Sequence, residues 1–116
     1  MSYIDGYLVP VPTGQKDAYR AMAEKTAVIF KDCGAVRVVE AWGDDLPDGK
    51  HTDFKRAVNA VDGENTVFSW VEWPDKATRD AGMKAFMDHP DLSGITEAPF
   101  DGKRMVLGGF VAIVEA

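Results

Sequence analysis

Two glutamates and two tryptophans form the pattern in this chain that is best suited to chemistry. Side chains alternate across a strand, so each predicted strand can be divided into two faces. Glu40 and Trp42 share a face of the second predicted strand, and Trp70 and Glu72 share a face of the third. The opposite face of each strand carries more small residues, which suit packing under helices. We therefore expect all four side chains on the face that the helices leave open.

A carboxylate that lies against indole rings is a candidate general acid or base. Apolar surroundings disfavour the charged form, so the pKa of at least one glutamate is expected above its usual value of about 4.3. Glu40 and Glu72 are therefore candidate catalytic residues, and Trp42 and Trp70 are candidate ligand contacts. The alternative is that the tryptophans anchor a dimer interface and the glutamates make structural hydrogen bonds.

A group of cations is the second candidate site. Lys103 and Arg104 follow the turn dipeptide Asp101-Gly102, which is expected to place Gly102 at positive φ and both cations at the mouth of the last strand. The planar fork of arginine suits a carboxylate or a phosphate. The cations that could gather into such an anion site are Arg37, Lys50, Lys55, Arg56, Lys103 and Arg104. The alternative is that they pair with the surplus of acidic residues.

Neither a metal site nor a cofactor is predicted. The acidic loop at residues 43–53 fails as a calcium loop because Leu46 occupies a ligand position and Lys55 stands where the terminal glutamate belongs. One nearby histidine, His51, is too little for a transition metal, and His89 before a proline is expected at a helix end. The single Cys33 is expected to be a small buried residue and not a nucleophile.

Composition describes one ordinary globular domain. The 116 residues are 46% hydrophobic and 28% charged, with no apolar run of the roughly 18 residues that span a bilayer. Residues 1–6 do not have the pattern of a signal peptide, and one cysteine agrees with a reducing compartment, so a cytoplasmic protein is expected. A net charge of −6 is the wrong sign for a protein that binds phosphate backbones. Neither nucleic acid nor membrane is expected as a partner.

The hydrophobic periodicity predicts a strand, a helix, two strands, a helix and a strand. The predicted strands are residues 3–11, 35–43, 64–73 and 105–114. This order is typical of a ferredoxin-like βαββαβ sandwich of the α+β class, in which two helices cover one face of a four-stranded antiparallel sheet. The other face then needs either a partner subunit or a ligand to cover it.

Local signals place the helix ends and the buried helix faces. Thr13 is the predicted N-cap of the first helix and Gly34 its left-handed end, while Asp75 is the predicted N-cap of the second helix. The predicted inward residues are Ala18, Met22, Ile29 and Cys33 in the first helix, and Gly82, Met83 and Phe86 in the second. The long connections at 44–63 and 91–104 are expected to be functional or to carry a small element, and 54–61 fits either a short strand or one helical turn.

Several motifs resemble those of the YbaA-like family of small bacterial proteins of unknown function. The matching segments are Gly43-Asp44-Asp45-x-Pro47-Asp48-Gly49-Lys50, Thr52-Asp53-Phe54-x-Arg56-Ala57-Val58, Val67-Phe68-Ser69-Trp70, and Pro99-Phe100-Asp101-Gly102-Lys103-Arg104-Met105 with Gly108-Gly109-Phe110. The resemblance covers essentially the whole chain, and Ala98 departs from the methionine expected before the Pro-Phe pair. It implies a dimeric α+β barrel, a group whose other branches include cofactor-free monooxygenases and haem-degrading enzymes.

Three functions agree with these observations. The leading hypothesis is a cytoplasmic homodimer that binds a small organic ligand at the sheet face or between subunits. The second is a cofactor-independent monooxygenase-like or isomerase-like enzyme that uses Glu40 or Glu72 as base. The third is a protein interaction module in which the long loops form the docking surface.

Overall fold

A computed structural model describes residues 2–95 and 98–116 of the chain. It contains four strands and three α-helices: β1 (Tyr3–Pro12), α1 (Lys16–Asp32), β2 (Arg37–Trp42), α2 (Phe54–Ala57), β3 (Glu64–Trp73), α3 (Lys76–Asp88) and β4 (Val106–Val111). Short 3-10 turns occupy Thr13–Gln15, Leu92–Gly94 and Gly102–Arg104. The strands form one antiparallel sheet in the order β2-β3-β1-β4. The architecture is therefore α+β, as predicted.

The core lies between the sheet and the two long helices. β1 and β3 are the central strands, and each contributes ten residues to their shared ladder. Their inward side chains, such as Val9, Val67 and Trp73, are almost fully buried beneath α1 and α3. We call this side of the sheet the helix face and the other side the open face. Side chains on the open face include Phe68 and Phe110, which are 47% and 59% exposed.

Several element ends agree with their local signals. Residues 64–73 were predicted as the third strand and form β3 with those bounds. The Asp75 side chain accepts a hydrogen bond from the Thr78 backbone N–H and caps α3, and Gly34 has a φ of +109° after α1. Residues 54–61 were predicted to form either a short strand or one helical turn, and they contain the helical turn α2. The Asp53 side chain caps this turn by accepting a hydrogen bond from the Arg56 backbone N–H.

The start of α1 differs from the prediction. Thr13 opens a 3-10 turn, and α1 begins at Lys16 without a side-chain cap. The buried residues of this helix are Tyr19, Ala23 and Ile29, whereas Ala18 is exposed. The predicted stripe is therefore displaced by one position in the first turn, whereas Met22 is half-buried and packs against the core as predicted. The physical reason is that the Tyr19 ring packs into the core while its hydroxyl reaches a polar partner on the sheet.

Gly102 is also different from the prediction. It begins the turn Gly102–Arg104 without positive φ, so the expected left-handed turn is wrong. The Asp101 side chain accepts a hydrogen bond from the Lys103 backbone N–H and holds the segment in a right-handed turn that any residue can adopt. The last strand is shorter than predicted and ends at Val111.

Gly82 is the position where the fold depends most directly on the absence of a side chain. A Cβ atom there would lie only 2.3 Å from Trp73 Cζ3 and 2.8 Å from the Cys33 carbonyl oxygen. We expect Gly82→Ala to lower the free energy of unfolding by about 1–3 kcal/mol, although alanine favours helices by about 1 kcal/mol over glycine. Urea denaturation would measure the change.

Gly14 provides the matched control for this substitution. A Cβ atom at Gly14 would meet nothing within 4 Å, so Gly14→Ala should alter stability by less than about 0.5 kcal/mol. Equal unfolding midpoints for Gly82→Ala and wild type would contradict the close packing of α3 on Trp73.

Candidate functional site

The strand register separates the four side chains that were predicted to share a face. Glu40 pairs with Ser69, and Val39 pairs with Trp70. Residues directly opposite each other in an antiparallel pair point to the same side, so Glu40 lies on the helix face and Trp70 on the open face. Trp42 follows Glu40 to the helix face, and Glu72 stays with Trp70 on the open face. The expectation of one shared face is therefore wrong.

Small side chains on α1 explain why the helix face accommodates Glu40 and Trp42. Ala23 and Ala27 face β2 and leave a gap between the helix and the edge of the sheet. The gap is a groove of about 240 Å³, which we call the Glu40 groove. Its lining residues are Lys16, Tyr19, Arg20, Ala23, Glu24, Ala27, Val38, Glu40, Ala41, Trp42 and Val67.

Hydroxyl groups surround the Glu40 carboxylate. The Tyr19 hydroxyl donates a hydrogen bond of 2.7 Å to Glu40 Oε1. Ser69 lies directly opposite Glu40 on β3, and its hydroxyl favours the charged form of the carboxylate. Tyr7 pairs with Ser69 from the other side, so three neighbouring strands contribute Tyr7, Ser69 and Glu40 to one row. The sequence prediction missed Tyr7, Tyr19 and Ser69; a tyrosine beside the apolar stripe of α1 was the one signal that pointed toward them.

The electrostatics of this row favour a carboxylate that can take up a proton. Burial raises the pKa of Glu40, and the hydroxyls of Tyr19 and Ser69 partly offset that rise. Among the described residues Glu40 makes no ion pair. Burial also raises the pKa of Tyr7 to about 12. The pKa of Tyr19 is raised as well, mainly by burial and to a lesser extent by the charge of Glu40. Both tyrosines therefore remain hydrogen-bond donors at neutral pH.

The mouth of the Glu40 groove is open and is lined by charges of both signs, from Lys16 and Arg20 and from Glu24. Glu40 is exposed to solvent through this mouth, so its carboxylate is desolvated only in part. The Lys16 ammonium lies 5.6 Å from the centre of the Trp42 ring, a cation–π distance. Arg20 lines the same rim and makes only a long contact of 3.8 Å with Asp17. A molecule that closes the mouth would desolvate Glu40 further.

Glu72 and Trp70 are structural partners on the open face. The indole Nε1–H of Trp70 donates to Glu72 Oε2 at 2.9 Å, and Arg37 Nη1 lies 3.8 Å from the same oxygen. Glu72 thus has a cation near it, unlike Glu40. The alternative drawn from the sequence, that the glutamates make structural hydrogen bonds, therefore fits Glu72.

The predicted anion site is not assembled. Arg104 makes hydrogen bonds of 2.7 Å to both carboxylate oxygens of Glu64 and one of 2.9 Å to Asp101, while Lys103 is exposed. Glu64 and Glu72, the partners of Arg104 and Arg37, stand eight residues apart on β3, or about 26 Å. Acidic neighbours therefore neutralise these arginines at two distant places.

A second, smaller cavity lies on the open face beneath the loop that follows β2. We call it the open-face pocket; its volume is about 190 Å³, and it is lined by Ala41, Trp42, Gly43, Asp44, Asp45, Leu46, Phe54, Thr66 and Phe68. The buried Thr66 Oγ1 has no hydrogen-bond partner among the described residues. A buried hydroxyl without a partner costs about 1–3 kcal/mol, so this pocket favours a water or a bound polar atom.

The described residues hold neither a cluster of metal ligands nor a helix that could span a membrane. In residues 2–95 and 98–116, no three His, Cys, Asp or Glu side chains converge as metal ligands would. The same part of the chain contains no helix with the length and apolar character of a membrane span.

The raised pKa of Glu40 has a consequence for stability. As the pH rises, Glu40 ionises first in the unfolded chain, near its ordinary pKa of about 4.3. The contribution of Glu40 to stability is therefore complete below that value and falls as the pH approaches its higher folded-state pKa. Glu40→Gln keeps an acceptor for Tyr19 and removes the charge. We expect the variant to gain stability over wild type between about pH 4 and pH 7, measured by urea denaturation at several pH values.

Glu72→Gln is the matched control. Its carboxylate has a cation and an indole N–H nearby, so removal of its charge should bring no such gain near neutral pH. A gain for Glu40→Gln that is independent of pH, or an equal gain for Glu72→Gln, would contradict the desolvation of Glu40.

Known proteins resemble this chain over its whole length. The family described as "Protein of unknown function (DUF1428)" matches residues 2–102. The "Uncharacterized protein YbaA" of Escherichia coli strain K12 is 52% identical over 116 residues, covering 99% of both chains, and the Shigella flexneri protein of that name matches equally. Among solved structures, Rv0793 from Mycobacterium tuberculosis has a TM-score of 0.53 at 11% identity, covering 100% of this chain and 99% of that one, which shows a common fold. The chain therefore belongs to the DUF1428 family, whose YbaA members in enterobacteria it matches from end to end.

Proposed function

We propose that this protein is a homodimer that binds a small organic molecule in the Glu40 groove. The observation that carries the proposal is a partly desolvated carboxylate, unpaired among the described residues, that a tyrosine hydroxyl orients at the wall of a cavity. Charged groups with perturbed pKa values in a cleft are typical of binding and catalytic sites.

The lining indicates the size and polarity of the ligand. A volume of about 240 Å³ is below the roughly 300–1,000 Å³ of drug-sized sites, so the ligand is a small, compact molecule. Val38, Val67 and the Trp42 ring supply apolar walls. Glu40 accepts a hydrogen bond or a proton from the ligand, and Lys16 at the rim favours a ligand with negative charge at its outer end.

Proton transfer is the second candidate function. With its raised pKa, Glu40 is suited to accept a proton from a C–H or O–H group of the bound molecule and to return it to another atom, as an isomerase does. Tyr19 would hold the carboxylate in place and donate to it throughout. Of the two glutamates predicted as bases, Glu40 is the one that the surroundings favour.

The solvent-exposed surface area of the chain supports the proposed homodimer. A folded monomer of 12.7 kDa is expected to expose about 6,200 Å², whereas this chain exposes 7445 Å². The excess exceeds the roughly 800 Å² that each partner buries in a standard interface. The molecule is also flat, with extents of 38 × 36 × 22 Å. We infer that two ferredoxin-like sandwiches pack open face to open face as a dimeric α+β barrel, in the cytoplasm.

A groove-filling substitution tests ligand binding. Ala27→Leu should occupy the Glu40 groove and abolish binding, whereas Ala21→Leu, on the exposed side of the same helix, should not. Native mass spectrometry of protein purified without denaturation should show a bound mass in wild type and Ala21→Leu that Ala27→Leu lacks. Amide shifts with a mixture of monocyclic phenols and benzoates provide a second readout. Absence of both a bound mass and shifts at Glu40 and Trp42 would overturn the proposal.

A charge on the open face tests the dimer. We expect sedimentation at micromolar concentration to show a wild-type dimer, and Phe68→Asp to yield a folded monomer because it places a carboxylate in the buried interface. Val28→Asp, an exposed position on α1, is the control and should remain dimeric. A compact wild-type monomer would refute the barrel.

A further inference from the structure

The long connection between β2 and β3 forms one wall of the open-face pocket. Gly43 begins this connection and is tied to β3 by two hydrogen bonds: its N–H donates to the Thr66 carbonyl at 3.0 Å, and its carbonyl accepts from Asn65 Nδ2 at 2.8 Å. Leu46 folds back over the same place, since a Cβ atom at Gly43 would lie 2.7 Å from Leu46 Cδ1. The chain between Gly43 and Leu46 is therefore held against the end of the sheet.

α2 forms another wall of the pocket and contributes an aromatic ring. Its N-cap Asp53 accepts a hydrogen bond of 2.8 Å from the Arg56 backbone N–H, and Val58 at its C-terminal end is fully buried. Phe54, the first residue of α2, lines the pocket, and its ring centre lies 6.0 Å from that of Phe68 on β3 in an edge-to-face arrangement. Two aromatic residues on separately fixed elements therefore line one cavity.

Two adjacent carboxylates at this cavity have no counter-charge within the described residues. Asp44 and Asp45 line the open-face pocket and are both exposed. In residues 2–95 and 98–116, neither of them makes an ion pair. Lys50 and Lys55, the lysines of the same connection, do not line the pocket. The negative charge beside the pocket therefore favours a bound cation.

The buried hydroxyl of Thr66 points independently to a bound group. Thr66 shares the open face with Phe68, lines the same cavity and is only 2% exposed. Its Oγ1 has no hydrogen-bond partner among the described residues, although an unsatisfied buried hydroxyl is costly. A hydroxyl group on the ligand would remove this cost.

We propose that the open-face pocket binds a small organic ammonium ion. Aromatic rings attract such a cation through their negative faces, most strongly where water is excluded. Phe54 and Phe68 would supply the ring surface, and Asp44 and Asp45 the opposite charge. Thr66 would make a hydrogen bond to a hydroxyl group of the ligand. The volume of about 190 Å³ limits the ligand to a small ion.

The lining suits an organic cation better than a metal ion. Leu46 and two phenylalanines make much of the wall apolar, whereas hard metal ions take six or more oxygen ligands. The proposal rests neither on the Glu40 groove nor on the homodimer, because the residues that line the pocket belong to one chain. A second copy packed on the open face would cover Phe68 and exclude water from the bound cation.

Choline and its uncharged isostere 3,3-dimethylbutan-1-ol test the proposal. The two molecules have the same shape and the same hydroxyl group, and they differ by one positive charge. We expect choline to shift the amide resonances of Gly43 and Thr66 and to bind about tenfold more tightly than the alcohol. Ala27→Leu, which fills the Glu40 groove, should leave choline binding unchanged.

Substitutions within one connection separate the pocket carboxylates from the general negative charge of the protein. Asp44→Asn with Asp45→Asn should weaken choline binding about fivefold or more and leave binding of the alcohol unchanged. Asp48→Asn with Asp62→Asn removes the same charge from exposed positions that do not line the pocket, so at about 0.15 M salt it should change the affinity by less than about twofold. Phe54→Leu keeps an apolar side chain but removes the ring, and it should weaken binding of choline more than that of the alcohol.

The outcomes keep this proposal separate from the one for the Glu40 groove. Equal affinities for choline and the alcohol overturn the ammonium ion as ligand. Choline binding that survives the Asp44 and Asp45 substitutions, or that shifts Tyr19 and not Gly43, overturns the site. Absence of any shift with choline overturns it as well. Choline binding that persists in Ala27→Leu supports the proposal even where no molecule occupies the groove.

Discussion

The register between β1 and β3 is the constraint on which the rest of the structure depends. These strands share ten residue pairs, and their register decides which side chains of each strand lie under the helices. It places Tyr7 opposite Ser69, and β2 then adds Glu40 to the same row. A slip of β3 by one residue against β1 would move Ser69 to the face opposite Tyr7 and break the row. The candidate site is therefore a consequence of strand pairing in the centre of the sheet.

The same register produces a rigid region beside the groove. The Trp73 indole N–H donates to Asp5 Oδ2 at 2.9 Å, and Arg79 of α3 bonds to the same carboxylate at 2.8 Å. Gly82 allows α3 to rest directly on the Trp73 ring. This part of the helix layer is filled and has its polar groups paired. The space between α1 and β2 is not filled, because the alanines of α1 leave a gap above Glu40. Packing is thus complete where it holds the fold and incomplete where a ligand would bind.

The two edges of the sheet connect this local chemistry to assembly. The open face and the β4 edge expose apolar side chains that the chain itself does not cover, and the mouth of the Glu40 groove opens at the other edge. The exposed apolar surface and the open mouth of the Glu40 groove therefore belong to the same sheet.

The sequence by itself determined the order of the elements, the bounds of β3, the cap at Asp75 and the left-handed end at Gly34. These signals act through backbone sterics and hydrogen bonds within a few residues. Only the tertiary structure decided that Glu40 lies under α1 while Glu72 lies on the open face with Arg37. Alternation along a strand defines two faces but does not say which one the helices cover. That choice depends on pairing with residues tens of positions away and on the size of side chains in a different element.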